Sequence, residues 1–131
     1  MFSNYIIDTL KDKRILFVDD EKQVTDMFCK LFNKGMNIKS DCAYDGVEGL
    51  EKFKKYHQDL IVSDIKMPNL DGHQMVKKIF ALDKNIKVIF ISAYNEEFYH
   101  DIVEDHIDNV VYVNKPISTQ KFQNALERLY R

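Results

Sequence analysis

The chain is 131 residues long, 45% hydrophobic and 31% charged, which suits one globular domain and excludes a disordered chain. No apolar run approaches about 18 residues, and Phe2 to Leu10 carries Asp8 without a basic front, so neither a transmembrane helix nor a secretion signal is expected. Lys and Arg number 19 against 21 Asp and Glu, a formal net charge of −2, so no general attraction to nucleic acid or anionic lipid is expected.

In chain order, Tyr5, Ile6, Thr9 and Leu10 share one side of a short helix in an extension over residues 1–12. This extension is expected to pack on its own domain, with a dimer contact as the alternative. Ile15-Leu16-Phe17-Val18 is a continuous β-rich run, the pattern of a strand buried on both faces, and Asp19-Asp20 end it. Val24, Met27, Phe28, Leu31 and Phe32 then fall on one helical face, and Gly35 stops that helix. Asp20 with Gln23 three residues on could cap it. Ile38, Ser40 and Cys42 alternate with Lys39, Asp41 and Ala43, so the second strand is half solvated and suits a sheet edge.

Asp45 and Glu48 form a capping-box pair ahead of a helix with Val47, Leu50 and Phe53 on its apolar side. Leu60-Ile61-Val62 is the third strand and ends at Ser63-Asp64. A turn-rich stretch from Met67 to Gly72 leads into a helix marked by Met75, Val76, Ile79 and Phe80. Val88-Ile89-Phe90-Ile91 is the fourth strand, ending at Ser92, and Phe98, Ile102 and Val103 mark a weaker helix after it. Val110-Val111-Tyr112-Val113 is the fifth strand and ends at Asn114-Lys115-Pro116. Ser118 is the N-cap of a last helix whose stripe is Phe122, Ala125, Leu126, Leu129 and Tyr130.

Five strands joined by single helical crossovers make an α/β fold, (βα)5 doubly wound, with a five-stranded parallel sheet in order 2-1-3-4-5. The polar second strand takes the edge. Ligands of such sheets bind outside the carboxyl ends of the strands, at the switch point, here between strands 1 and 3. Asp19, Asp20 and Asp64 all fall there, flanked by Ser92 from strand 4 and Lys115 from strand 5. Two like charges ~4 Å apart repel by ~4 kcal/mol at an effective dielectric of ~20, so protons, a lysine or a hard cation must offset them. An all-oxygen set without His or Cys suits Mg²⁺ better than zinc. Carboxylates, a divalent cation, a lysine and a hydroxyl together describe phosphoryl transfer to an aspartate.

From Arg14 to Tyr130 the sequence resembles the receiver domain of two-component response regulators, the CheY-like family. The resemblance rests on Ile15-Leu16-Phe17-Val18-Asp19-Asp20-Glu21, on Asp64-Ile65-Lys66-Met67-Pro68-Asn69-Leu70-Asp71-Gly72, on Ser92-Ala93-Tyr94, and on Tyr112 three residues before Lys115-Pro116. It implies a receiver domain over residues 13–131 and a cytoplasmic location. It implies Asp64 as phosphoacceptor, with Asp19, Asp20, Asp64 and the backbone carbonyl of Lys66 holding Mg²⁺. Lys115 would pair with the phosphoryl group, Ser92 and Tyr112 would be switch residues, and Pro116 would follow a cis bond.

The implied partners are a histidine kinase or histidine phosphotransfer protein as donor and a downstream effector or output domain. Neither nucleic acid nor membrane is a partner of the domain itself, and a phosphorylation-dependent dimer is a further form the resemblance allows. The implied activity is that of a phosphoacceptor switch with self-phosphorylation and autodephosphorylation only, changing its helix 4, strand 5, helix 5 face. A bulky Tyr94, two residues beyond Ser92, would slow loss of phosphate. Two other functions compete: an Mg²⁺-dependent aspartyl phosphatase, whose Asp-x-Asp would follow strand 1, and a pseudo-receiver, which would lack one of Asp20, Asp64 and Lys115.

Other features read as structural. Residues 88–114 carry no Lys or Arg but hold Glu96, Glu97, Asp101, Glu104, Asp105 and Asp108, a solvated acidic face or a docking surface. His57, His73, His100 and His106 lack metal-ligand spacing and read as surface or loop residues, while Met27, Met36, Met67 and Met75 read as core or loop fillers. Cys29 and Cys42 are too few for a disulfide framework or a zinc site, and read as inert small hydrophobes in a reducing compartment.

Overall fold

The four continuous apolar runs and the alternating second segment all become strands. In the computed structural model, which describes residues 2–93 and 105–131, these are β1 (Arg14–Val18), β2 (Lys39–Ala43), β3 (Leu60–Asp64), β4 (Lys87–Ser92) and β5 (Val110–Asn114). All pair in parallel, in the order β2-β1-β3-β4-β5, as the strand pattern requires. Every residue of β3 is buried, whereas β2 on the edge buries only Ala43. Among the described residues the α-helices are α1 (Asn4–Leu10), α2 (Lys22–Lys30), α3 (Gly46–Tyr56), α4 (Gly72–Leu82) and α5 (Thr119–Leu129). Phe98, Ile102, Val103, Tyr94, His100 and the acidic residues 96–104 lie outside the described residues.

The sheet separates two cores. One joins Ile15, Phe17 and Val62 to α1, α2 and α5 through Ile6, Leu10, Cys29, Phe122 and Leu126. The other joins Leu16, Ile61, Val88 and Phe90 to α3 and α4 through Phe53, Met75, Val76 and Ile79. The last helix is capped by Ser118, whose hydroxyl accepts from the Lys121 N–H. Asp45 likewise accepts from the Glu48 N–H, but the Glu48 carboxylate answers the Tyr44 N–H rather than that of Asp45. Asp71 and Gln74 form a full capping box at α4.

Several local readings are corrected by tertiary packing. Glu21 is the N-cap residue of α2 and makes no side-chain cap bond, so Asp20 is not the cap and stays exposed at the strand end. The buried side of α2 is Thr25 and Cys29, continued by Phe32, while Met27 is 58% exposed. Thr25 tolerates burial because its hydroxyl donates to the Asp19 and Glu21 carbonyls. Val47 is exposed as well, because α3 turns its small side inward. A Cβ on Gly49 would stand 2.5 Å from the Met75 sulfur, and one on Gly46 would stand 2.1 Å from the Leu70 carbonyl oxygen. Glycine therefore lets α3 lie close to α4 and the turn before it.

Cys29 and Cys42 are not independent small hydrophobes. The crossover returns α2 onto β2, their Cα atoms lie 6.4 Å apart, and the sulfurs form a disulfide. At the amino terminus, Ile6 and Leu10 are buried in the domain's own core, and the Phe2 ring meets Phe32 and Phe122. Among the described residues, no helix is long and apolar enough to cross a membrane.

Candidate functional site

Parallel register brings the strand ends to one rim. Val18 lies beside Ser63, Asp64 beside Ile91, and Ser92 beside Asn114, so residues just past each partner share the carboxyl edge. Carboxylate oxygens of Asp19, Asp20 and Asp64 lie within 4.8 Å of one another there. The Lys115 Nζ donates to Asp64 Oδ2 at 3.0 Å, and the Ile65 N–H donates to Asp64 Oδ1 at 2.7 Å. The Asp64 side chain is only 11% exposed. Its two oxygens are thus fixed by one backbone donor and one ammonium.

Backbone bonds hold the flanking groups. The Lys115 N–H donates to the Ser92 carbonyl at 2.8 Å, tying β5's end to β4's, and the Lys115–Pro116 bond is cis. Ser92 is buried at the same edge, and Lys66 is exposed on the loop after β3. Tyr112 stands apart from the carboxylates, on β5 beside Phe90 of β4, with the two rings stacked 5.2 Å apart. So the structure gathers Asp19, Asp20, Asp64, Ser92 and Lys115 at one edge and sets Tyr112 on an adjoining face.

The electrostatics of the rim are unbalanced. Burial pushes the Asp19 carboxyl up to about 6, with the charge of Asp64 adding to it and the Glu21 N–H pulling the other way. Burial alone would lower the Lys115 ammonium, but its hydrogen bond to Asp64 together with the negative charges of Asp64, Asp19 and Glu21 outweighs this and raises it. Three carboxylates thus face one ammonium. An all-oxygen cluster with surplus negative charge fits a hard cation such as Mg²⁺, and Asp19, Asp20 and Asp64 are the residues that could hold it. A cavity of about 440 Å³ opens beside them, lined by Asp19, Glu21, Val24, Phe28, Ile91, Lys115, Pro116 and Ile117.

One residue of interest escaped the sequence reading. His73 is half-buried in the first turn of α4, with its Nε2 3.3 Å from the Tyr112 hydroxyl and its ring 4.6 Å from that of Phe90. Burial pulls its imidazole down to about 4, so it is neutral at pH 7. No spacing signal marks it, because its neighbours come from β4 and β5.

The response regulator receiver domain model matches residues 15–127. Over 120 residues the chain is 35% identical to the chemotaxis protein CheY of Treponema pallidum, covering 88% of this chain and 79% of that protein. It is 26% identical over 121 residues to sporulation initiation phosphotransferase F of Bacillus subtilis, covering 91% and 94%. In three dimensions it resembles a chain in the crystal structure of the CheX-CheY-BeF3-Mg+2 complex from Borrelia burgdorferi. That likeness has a TM-score of 0.77 at 28% identity and covers 98% of this chain and 95% of that one.

Proposed function

The chain belongs to the response regulator receiver domain family, and from that premise we propose that Asp64 accepts a phosphoryl group from a phosphohistidine on a partner kinase or phosphotransfer protein. The observation that carries this reading is the Asp64 carboxylate itself, buried, oriented by the Ile65 N–H and Lys115, and within 4.8 Å of two further carboxylates.

In the transfer, an Asp64 oxygen attacks phosphorus, the P–N bond breaks, and its electron pair returns to the imidazole nitrogen, which takes up a proton. Lys115, already on Asp64, pairs with a phosphoryl oxygen. Ser92 offers its hydroxyl from the same rim. Asp19, Asp20 and Asp64, with the Lys66 carbonyl, would hold Mg²⁺, which when bound supplies positive charge against the phosphoryl oxygens. The Borrelia relative's complex, which contains BeF3 and Mg, supports this choice of ion. Beside the cavity, α2 and the turn that follows it leave Met27 58% and Leu31 37% exposed, with Phe28 partly so, an apolar surface suited to the donor protein.

The phosphorylated state shifts a population in which Ser92 and Tyr112 differ in position, and the face containing β5 and α5 changes for a downstream partner. The domain acts as a switch rather than a turnover enzyme. It works in the cytoplasm. Incubation with acetyl phosphate and Mg²⁺ tests the reading by intact-protein mass. One phosphoryl group should be gained by the wild type and none by Asp64→Asn. Steady release of phosphate over many turnovers would favour a phosphatase instead, and no gain would leave an interaction module.

A further inference from the structure

His73 links the segment that follows Asp64 to the side chain of Tyr112. At one end it rests on the Asp64 segment. Gly72, the residue before it, donates its N–H to the Ile65 carbonyl at 2.7 Å, and a Cβ on Gly72 would stand 2.2 Å from the Asp64 carbonyl oxygen. The first turn of α4 therefore lies directly on the backbone of Asp64 and Ile65, and a displacement of that backbone moves His73 with it. At the other end, the imidazole meets Tyr112. Phe90, fully buried, packs against both rings, 4.6 Å from the imidazole and 5.2 Å from the phenol.

We propose that His73 is a positioning residue for Tyr112, holding the phenol by its hydroxyl and coupling it, through the first turn of α4, to the backbone of Asp64. The chemistry suits this role. A neutral imidazole can give or take the hydrogen bond, and the Tyr112 hydroxyl can do either. The contact is a side-chain bond between α4 and β5, so it can be made or broken without disturbing the sheet. Phosphorylation at Asp64 would then reach Tyr112 by a second route, distinct from the Ser92 hydroxyl. The inference rests on the receiver reading for its consequence, but the contact is open to test without it.

The experiment uses the whole chain labelled with ¹³C at the tyrosine ring carbon bearing the hydroxyl, with Tyr112 assigned from Tyr112→Phe. His73→Leu keeps an apolar side chain against Phe90 but removes the polar atoms, and His73→Gln restores a donor and an acceptor. His73→Leu should shift the Tyr112 resonance and change the ratio of its two environments, with and without acetyl phosphate and Mg²⁺, by about three- to tenfold, the size expected of one hydrogen bond. His73→Gln should return it toward the wild type. An unmoved Tyr112 resonance in His73→Leu would overturn the proposal, as would a His73→Gln protein indistinguishable from His73→Leu. Asp64 labelling by acetyl phosphate is read in the same samples. A Tyr112 shift in a protein that takes no phosphoryl group would uphold the contact and sink the phosphoacceptor reading.

Discussion

The two ends of the sheet treat charge in opposite ways. At the amino end, the Arg14 guanidinium grips Asp41 through two bonds of 2.7 and 2.9 Å, the Gln58 amide donates to the same carboxylate, and the Tyr56 ring stacks on Arg14 at 4.1 Å. Burial would raise the Asp41 carboxyl, but Arg14 and Gln58 outweigh it and hold it below its usual range. At the carboxyl end, Asp19 is pushed the other way, to about 6, and three carboxylates share one lysine. A paired charge serves the fold. An uncompensated cluster costs the fold stability and is retained where an external group supplies the missing charge.

The largest expected break in this contrast is Asp41→Ala. It strands Arg14 and should lower stability by about 2 kcal/mol in urea titrations. A fully buried pair would lose roughly 3–5 kcal/mol, but these side chains keep 33% and 15% exposure. Labelling by acetyl phosphate should be unchanged. Asp19→Asn should do the reverse: the metal-free protein gains about 1 kcal/mol at pH 7 after allowance for solvent screening, or about 4 °C in Tm by calorimetry. The same variant should lose most of the stabilisation that Mg²⁺ gives the wild type.

The smallest effect is a pH dependence. Because the Asp19 carboxyl is raised in the folded state from an ordinary 3.8 to about 6, the folded protein binds more protons between those values. Metal-free stability attributable to Asp19 should therefore rise as pH falls from 7 toward 4, and fade as pH rises through 6. Thermal melts of the wild type against Asp19→Asn, with chelator, should show this slope only in the wild type. Saturating Mg²⁺ should remove it, because metal and proton compete for one carboxylate.

The carboxyl rim was legible in the sequence because it depends on one strong regularity. Apolar runs in parallel strands place whatever ends them at a common edge, so Asp19, Asp64, Ser92 and Lys115 could be grouped from their positions alone. The capping hydroxyl of Ser118 was equally local. What escaped depends on contacts distant in sequence. The inward side of α2 was misjudged because Thr25 finds backbone acceptors, which the apolar pattern cannot reveal, and Met27 was taken for filler when it faces outward. Cys29 and Cys42 looked unrelated until the crossover folded α2 onto β2. His73 looked like a surface residue because Phe90 and Tyr112 come from two later strands. The amino end of the sheet was missed for the same reason: Arg14 and Asp41 belong to neighbouring strands and carry no shared motif.

The way α1 is fastened has a practical corollary. The Ser3 N–H and hydroxyl bond to the Gln123 side chain, and the Tyr5 hydroxyl donates to the Tyr130 carbonyl at 2.9 Å. Residues 3–5 and 123–130 therefore lie side by side. A short bridge could splice them into a ring, and fresh ends could be opened at a surface turn such as residues 83–85, giving circularly permuted versions that carry reporters on a different side of the molecule.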